Sequence, residues 1–172
     1  MKVLVVVDVQ KDFVDGSLGT KEAVSIVDNV VKEIGDPSYD RIFATLDTHG
    51  PGYLGTFEGK HLPVEHCIRG TDGWKLDGKV EEALRGKNAE IIEKPTFGSY
   101  ALVQELTALH PDEIVLVGLC TDICVISNAL LLRAAMYGTE ITVVSSACAG
   151  VTPAKHEAAL EVMASCQINI RK

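Results

Sequence analysis

The stretch Ile114-Val-Leu-Val-Gly-Leu-Cys-Thr-Asp-Ile-Cys-Val-Ile126 decides the fold, because it joins two different patterns end to end. It opens on an apolar run, which is typical of a strand buried on both faces of a parallel sheet. After Gly118 the period changes, and residues 121–137 place their apolar side chains at helical spacing. We therefore expect Cys124 in the first turn of a helix that directly follows a buried strand.

Cys124 in this position admits two interpretations. The first turn of a helix places a thiol beside backbone N–H groups and the positive end of the helix dipole, and both favour the thiolate. A lone cysteine, however, is more often a small buried hydrophobic residue. The remaining sequence has to distinguish a nucleophile from a core residue.

The composition indicates one domain, which we expect to span residues 1–172. A formal net charge of −8 disfavours nucleic acid and an acidic membrane surface as partners. No apolar run approaches transmembrane length, and Asp8 ends the N-terminal apolar run too early for a signal peptide. Five cysteines at irregular spacing suggest no disulfide framework, so we expect free thiols and a cytoplasmic location.

Strand and helix patterns alternate along the chain, which predicts an α/β fold of three layers, α/β/α, around a six-stranded, mainly parallel sheet. Residues 48–76 show little periodicity, and so long a loop in a compact domain is usually functional or disordered. The predicted strands are 3–7, 41–46, 90–92, 114–117, 141–144 and 168–170, and the predicted helices are 21–34, 79–84, 100–109, 121–137 and 153–164.

Polar or nucleophilic residues stand at four of the predicted strand ends: Asp8, Asp47, Lys94 and Cys124. Ligands of open parallel sheets bind beyond the carboxyl ends of the strands, near the point where the strand order reverses. Each residue alone has a simpler structural explanation, but their joint arrival at one edge favours a functional site. No Gly-x-Gly-x-x-Gly follows the first strand and no Walker loop is present, so a nucleotide-binding turn is not expected.

The long loop holds a candidate metal site. Asp47 and His49 stand two residues apart, and Glu58, His61 and His66 follow. Carboxylate and imidazole ligands without thiolate suit zinc, iron or manganese. On spacing alone, a metal site and a hydrogen-bonded surface loop are about equally supported.

Five stretches form a specific set that extends over nearly the whole chain. They are Val7-Asp8-Val-Gln-Lys-Asp-Phe13, Asp47-Thr-His49, Leu62-Pro-Val-Glu-His66-Cys67, Glu93-Lys94-Pro-Thr-Phe97-Gly-Ser99-Tyr100 and Val117-Gly-Leu-Cys120-Thr-Asp122-Ile-Cys124-Val125. Together they resemble nicotinamidases of the isochorismatase-like cysteine hydrolase superfamily. The resemblance implies that superfamily's fold, which is Rossmann-like in architecture.

The resemblance implies a catalytic triad of Asp8, Lys94 and Cys124. Asp8 would accept the thiol proton, and Lys94 would hold both groups in their charged forms. On this hypothesis the neighbouring ammonium and the helix N-terminus lower the pKa of the thiol. A cis peptide at Leu119-Cys120 would aim the amides of Cys120 and Cys124 at one point as an oxyanion hole.

The resemblance also implies one divalent metal, with zinc preferred and iron or manganese as alternatives. Asp47, His49 and His66 match three of the family's ligands. The fourth ligand is a histidine in some members and a glutamate in others. Glu58 resembles the glutamate version, and His61 competes with it.

The substrate pocket departs from the family at one position. Many nicotinamidases carry a tryptophan that stacks on the pyridine ring where Leu62 stands here. Trp74 or Tyr53 could supply a substitute aromatic ring from the loop. The expected pocket residues are Phe13, Leu62, Phe97 and Tyr100.

The resemblance implies a cysteine amidohydrolase that acts on a small-molecule amide. A nicotinamidase would convert nicotinamide and water into nicotinate and ammonia through a Cys124 thioester, would also accept pyrazinamide, and would serve NAD salvage. One alternative is another C–N hydrolase of the superfamily, acting on a carbamoyl or ureido compound. A second is a hydrolase whose metal-bound water attacks, and a third is a redox sensor built on Cys120 and Cys124. Homo-oligomer formation stays open.

Overall fold

The computed structural model describes residues 1–172. It contains six strands and seven α-helices, and none of the helices is both long and apolar enough to cross a membrane. The strands are β1 Lys2–Val7, β2 Arg41–Asp47, β3 Glu90–Lys94, β4 Glu113–Leu119, β5 Glu140–Ala149 and β6 Asn169–Arg171. The helices are α1 Lys11–Val14, α2 Lys21–Gly35, α3 Phe57–His61, α4 Gly78–Arg85, α5 Tyr100–Leu109, α6 Ile126–Ala135 and α7 Pro153–Ser165.

The strands form one sheet in the order β3-β2-β1-β4-β5-β6, and every neighbouring pair is parallel. The predicted α/β class and six-stranded sheet are therefore confirmed. From β1 the chain moves outward to β2 and β3, whereas from β4 it moves outward through β5 to β6. The strand order reverses between β1 and β4, so a ligand site is expected beyond the carboxyl ends of these two strands.

Two hydrophobic cores cover the two faces of the sheet. Alternation along β1 shows the division, because Leu4 and Val6 belong to one core and Val3, Val5 and Val7 to the other. Helices α2 and α4 pack on the Leu4 face, and helices α5, α6 and α7 pack on the Val5 face. The sheet is thus the middle layer of three, which leaves its carboxyl edge free for a site.

A close approach of two backbones brings β1 and β4 together at their carboxyl ends. Gly118 has φ +117°, and a Cβ there would lie 2.1 Å from the carbonyl oxygen of Val7. Only glycine combines this conformation with this contact. Gly118 therefore holds the end of β4 against the residue that precedes Asp8.

The structure differs from the sequence prediction in several places, one of which is the short helix α1, Lys11–Val14, which was not predicted. The helix predicted from residue 121 opens as a wide π-type turn, Thr121–Val125, before α6 begins. Strand β5 continues to Ala149, and the Asn29 side chain donates to the carbonyl oxygen of Ser146 along this extension. The predicted loop contains the 3₁₀ turn Tyr53–Gly55 and helix α3, which begins with Thr56 accepting from the Gly59 amide at 3.0 Å.

Candidate active site

Three side chains from three strand ends meet at the carboxyl edge of the sheet. Lys94 Nζ lies 2.6 Å from Asp8 Oδ2 and 3.6 Å from Cys124 Sγ. Lys94 is 1% exposed and Asp8 is 0% exposed, so the ion pair is buried. The structure thus brings together the three residues predicted to form the triad.

The backbone and its neighbours fix each member of this group. Asp8 has a left-handed conformation, φ +47°, at the end of β1, and its Oδ1 accepts from Thr45 Oγ1 at 2.7 Å. Such conformations in non-glycine residues concentrate at functional sites. Lys94 Nζ also donates to the carbonyl oxygen of Thr96 at 2.9 Å, which holds the ammonium between Asp8 and Cys124.

The protonation of Cys124 differs from the expectation. Burial raises the pKa of the Cys124 thiol well above its usual value, the charge of Asp8 raises it further, and Lys94 opposes both. The predicted lowering of this pKa was wrong, because the position of the thiol in a helix turn does not outweigh complete desolvation. Burial therefore favours the neutral thiol form of Cys124.

The pKa of Asp8 is shifted in the same direction. Burial raises the pKa of Asp8, although Lys94 opposes the shift. Burial thus disfavours the charged form of both groups, and Lys94 is the positive charge that opposes this for each of them.

A second group of ligating side chains lies next to the first. One ligand atom from each of Asp47, His49, Glu58 and His66 lies within 4.8 Å of all the others. His49 Nε2 lies 3.0 Å from Asp47 Oδ2, and His66 Nε2 lies 3.6 Å from the same oxygen. The Nδ1 of His66 pairs with the carbonyl oxygen of Val64 at 2.8 Å, so its Nε2 faces the other ligands.

The donor set fits a divalent metal ion. Two carboxylates and two imidazoles converge, and Glu58 Oε1 lies 3.7 Å from His49 Nε2 and 3.6 Å from His66 Nε2. Burial opposes ionisation of Asp47, but the two histidines and Lys94 lower its pKa, which keeps this ligand anionic. His61 lies outside the group: its Nδ1 pairs with the carbonyl oxygen of Phe57, so the geometry favours Glu58 as fourth ligand.

Both groups border one cavity of about 270 Å³. Three of the expected pocket residues line it: Phe13, Leu62 and Phe97. The fourth expectation was wrong, because Tyr100 begins α5 with its side chain in solvent, 77% exposed.

The two aromatic residues expected to replace the stacking tryptophan also lie outside the cavity. Tyr53 packs against the rings of His49 and His66, and Trp74 Nε1 donates to Thr48 Oγ1 at 2.9 Å. Neither side chain lines the cavity. Phe13 and Phe97 are therefore its aromatic walls.

The wall beside Cys124 carries the turn expected to bind an oxyanion. The Leu119-Cys120 peptide is cis, as the resemblance implies, and Cys120 and Cys124 both line the cavity. Burial raises the pKa of Cys120 to about 12. A neutral thiol reacts slowly in disulfide exchange, which disfavours the redox-sensor alternative.

A sequence profile of the isochorismatase domain matches residues 2–171 of the chain. The chain belongs to the isochorismatase family. This isochorismatase-family protein is 29% identical over 186 residues to the nicotinamidase/pyrazinamidase of Mycobacterium tuberculosis, a match that covers 99% of this chain and 98% of the relative.

Solved structures resemble the isochorismatase-family protein over its whole length. A pyrazinamidase/nicotinamidase from Streptococcus mutans is 29% identical, with a TM-score of 0.86 and 99% of each chain covered. A pyrazinamidase of Pyrococcus horikoshii in complex with zinc is 26% identical, with a TM-score of 0.79, and the match covers 99% of this chain and 98% of that one.

Asn128 is a residue of the isochorismatase-family protein whose part in the site the sequence analysis missed. Its buried amide nitrogen donates to the carbonyl oxygens of Cys124, at 2.8 Å, and Phe97, at 3.1 Å. Its oxygen accepts from the Ser99 amide at 2.9 Å. One side chain thus joins the turn that carries Cys124 to the loop that follows Lys94. Only the partners in space reveal this, because the sequence shows an ordinary polar residue inside a helix.

Substitution of Asn128 by alanine is expected to lower kcat more than it changes KM. The Ser99 amide and two carbonyl oxygens lose a buried partner, which costs about 1–3 kcal/mol of stability, and Cys124 is then free to shift relative to Lys94. A misplacement of about 1 Å costs on the order of 100-fold in rate. Steady-state kinetics beside urea unfolding measures both effects, with Asn169→Ala on the exposed β6 as control. A rise in KM as large as the fall in kcat would contradict the positioning role.

Proposed function

We propose that the protein is a nicotinamidase, a cysteine amidohydrolase that converts nicotinamide and water into nicotinate and ammonia and also accepts pyrazinamide. One observation carries the proposal: Cys124 lines a cavity and is linked through Lys94 to Asp8, and three residues of the four-ligand metal group line the same cavity. The named activity of the relatives supports the same reaction.

The first half of the reaction forms a thioester. Asp8 takes the proton of Cys124, and the thiolate sulfur attacks the carboxamide carbon. Lys94 stabilises the negative charge while it passes between the carboxylate and the sulfur, since its Nζ lies close to both. Asp8 then returns the proton to the leaving nitrogen, the C–N bond breaks, and ammonia departs.

The second half hydrolyses the thioester. A water molecule attacks the thioester carbon while Asp8 accepts its proton, the C–S bond breaks, and the proton returns to the sulfur of Cys124. In each half, the backbone amides of Cys120 and Cys124 donate to the tetrahedral oxyanion. Loss of one such donor typically costs about 3–4 kcal/mol of barrier.

Asp47, His49, Glu58 and His66 would hold one divalent metal ion, with zinc preferred and iron or manganese as alternatives. When bound, the ion supplies a positive charge beside the cavity that attracts the ring nitrogen of the substrate. The walls formed by Phe13 and Leu62 confine the ring, so that the carboxamide meets Cys124.

Gln10 holds one metal ligand in place and was missed in the sequence analysis. Its Oε1 accepts from the Asp47 amide at 2.8 Å, and its Nε2 donates to the Asp47 carbonyl oxygen at 2.9 Å and to that of Trp74 at 2.8 Å. The side chain is fully buried. A single amide group thus fixes both backbone polar groups of Asp47.

The substitution Gln10→Leu is expected to weaken metal binding by about 10- to 100-fold, as loss of a residue that orients a ligand typically does. Competition with a fluorescent zinc chelator measures the dissociation constant without reference to activity. Asn29→Leu is the control, since Asn29 donates only to the distant Ser146. A metal affinity equal to that of the wild type would show that Gln10 has no part in the site.

The proposed function is tested by ammonia release from nicotinamide, pyrazinamide and a set of small ureido and carbamoyl compounds, with elemental analysis of the same preparation. We expect the two aromatic amides to be the best substrates and about one equivalent of metal per chain. Preference for a ureido compound would show instead that the protein is a C–N hydrolase of carbamoyl or ureido compounds. Cytoplasmic NAD salvage belongs to this proposal, since nicotinate and nicotinamide are NAD precursors.

A further inference from the structure

A second cavity also borders the candidate metal ligands. It has a volume of about 590 Å³, and His49, Phe57 and His61 contribute to its wall. Cys124, Asp47 and His66 line only the first cavity, whereas His49 lines only the second. The metal-ligating group thus borders two cavities, and the reaction proposed above uses only one of them.

A thin partition divides the two cavities. Glu58, Leu62, Phe97 and Ile123 form it, since each of them lines both cavities. Leu62 and Phe97 are also partly exposed to solvent. A partly exposed side chain loses fewer contacts on a change of rotamer than a core residue does, and rotation of these two would connect the cavities.

The second cavity is suited to an apolar, flat group. Phe57 at its rim is 81% exposed, and its ring lies 4.4 Å from the ring of His61. Phe97 forms the facing wall. An aromatic group that enters between such rings gains stacking or edge contacts in addition to burial. An exposed phenylalanine at the rim of a cavity next to the one that Cys124 lines is therefore suited to contact an aromatic occupant.

We propose that the second cavity is a distal subsite for aromatic carboxamides larger than nicotinamide. The carboxamide of such a compound lies at Cys124, and an apolar ring substituent passes between Leu62 and Phe97 to contact Phe57. The proposal rests on the proposed function, because it places the reacting amide at Cys124. It extends the substrate range to pyridine carboxamides with an aryl substituent.

The test uses the metal-loaded protein and three compounds: nicotinamide, 5-phenylpyridine-3-carboxamide and 6-phenylpyridine-3-carboxamide. We expect the wild type to hydrolyse at least one phenyl compound with a kcat/KM within about tenfold of that for nicotinamide. Phe57→Ala should lower kcat/KM for that compound by about two- to tenfold, as loss of an aromatic contact does, and leave nicotinamide unchanged. Tyr137→Ala removes an equally exposed ring that lines neither cavity and should change nothing.

Leu62→Ala opens the partition and supplies an independent test. It should raise the ratio of kcat/KM for the phenyl compound to that for nicotinamide by at least threefold. Calorimetry with Cys124→Ala protein measures binding of the phenyl compound without turnover. Adding Phe57→Ala to that variant should weaken this binding. If nicotinamide is hydrolysed while neither phenyl compound binds or reacts, the subsite is refuted and the proposed function stands. If nicotinamide is inert, the proposed function fails. The effect of Phe57→Ala on the calorimetric affinity for the phenyl compound then decides whether the subsite exists.

Discussion

Replacement of Cys124 by alanine is expected to abolish ammonia release, with a loss in kcat on the order of 10⁴-fold or more. The physical reason is that sulfur forms the bond to the carboxamide carbon, and Cys124 Sγ lies 3.6 Å from Lys94 Nζ, which pairs with Asp8. The metal content should not change, because Cys124 is outside the four-ligand group. A coupled ammonia assay and elemental analysis of the same sample measure the two quantities.

Two further cysteine variants make this result specific. Cys166→Ala removes an exposed thiol and should leave the rate unchanged. Cys120→Ala keeps the backbone amide of the oxyanion turn but removes the only other thiol that lines the cavity, so activity should persist. If metal-loaded Cys124→Ala protein retained more than a few per cent of the wild-type rate, a metal-bound water would be the nucleophile and the thioester mechanism would fail.

The sequence predicted that Asp8, Lys94 and Cys124 would lie close together, because strand ends obey a simple rule. In a parallel sheet, residues that follow neighbouring strands arrive at one edge whatever their distance along the chain. Asp8 follows β1, Lys94 is the last residue of β3 and Cys124 follows β4, and they meet as that rule requires. Buried strands are also the most easily recognised elements, since their apolar runs leave little ambiguity.

The features that were missed depend on distances that no periodicity encodes. Tyr100 follows a motif residue in sequence, but it begins α5 on the outer surface. The raised pKa of Cys124 reflects its burial together with Asp8, and sequence spacing alone cannot give the degree of burial. Gln10 and Asn128 act through backbone groups that lie 37 residues and up to 31 residues away along the chain.

Replacement of Lys94 by methionine is expected to lower the free energy of unfolding by about 3–5 kcal/mol and to abolish activity. Methionine keeps the apolar stem but removes the ammonium, so the fully buried Asp8 loses its ion-pair partner and Asp47 loses a neighbouring positive charge. An uncompensated charge in a buried site accounts for the size of the effect. Urea unfolding followed by circular dichroism, with chelator present to remove any contribution from metal, measures the change.

The double variant Asp8→Asn/Lys94→Met separates the structural cost of the ion pair from its part in the chemistry. Removal of both charges leaves no isolated ion, so the double variant should recover at least half of the stability that Lys94→Met loses, while activity stays absent. Lys79→Met breaks an exposed pair with Asp28 of similar length, 2.7 Å, and should leave the urea midpoint unchanged. If Lys94→Met were as stable as the wild type, the 2.6 Å contact would not be a buried ion pair in solution. Asp8 would then be a neutral acid at rest and could not accept the proton of Cys124, so the proposed order of proton transfers would have to be reversed.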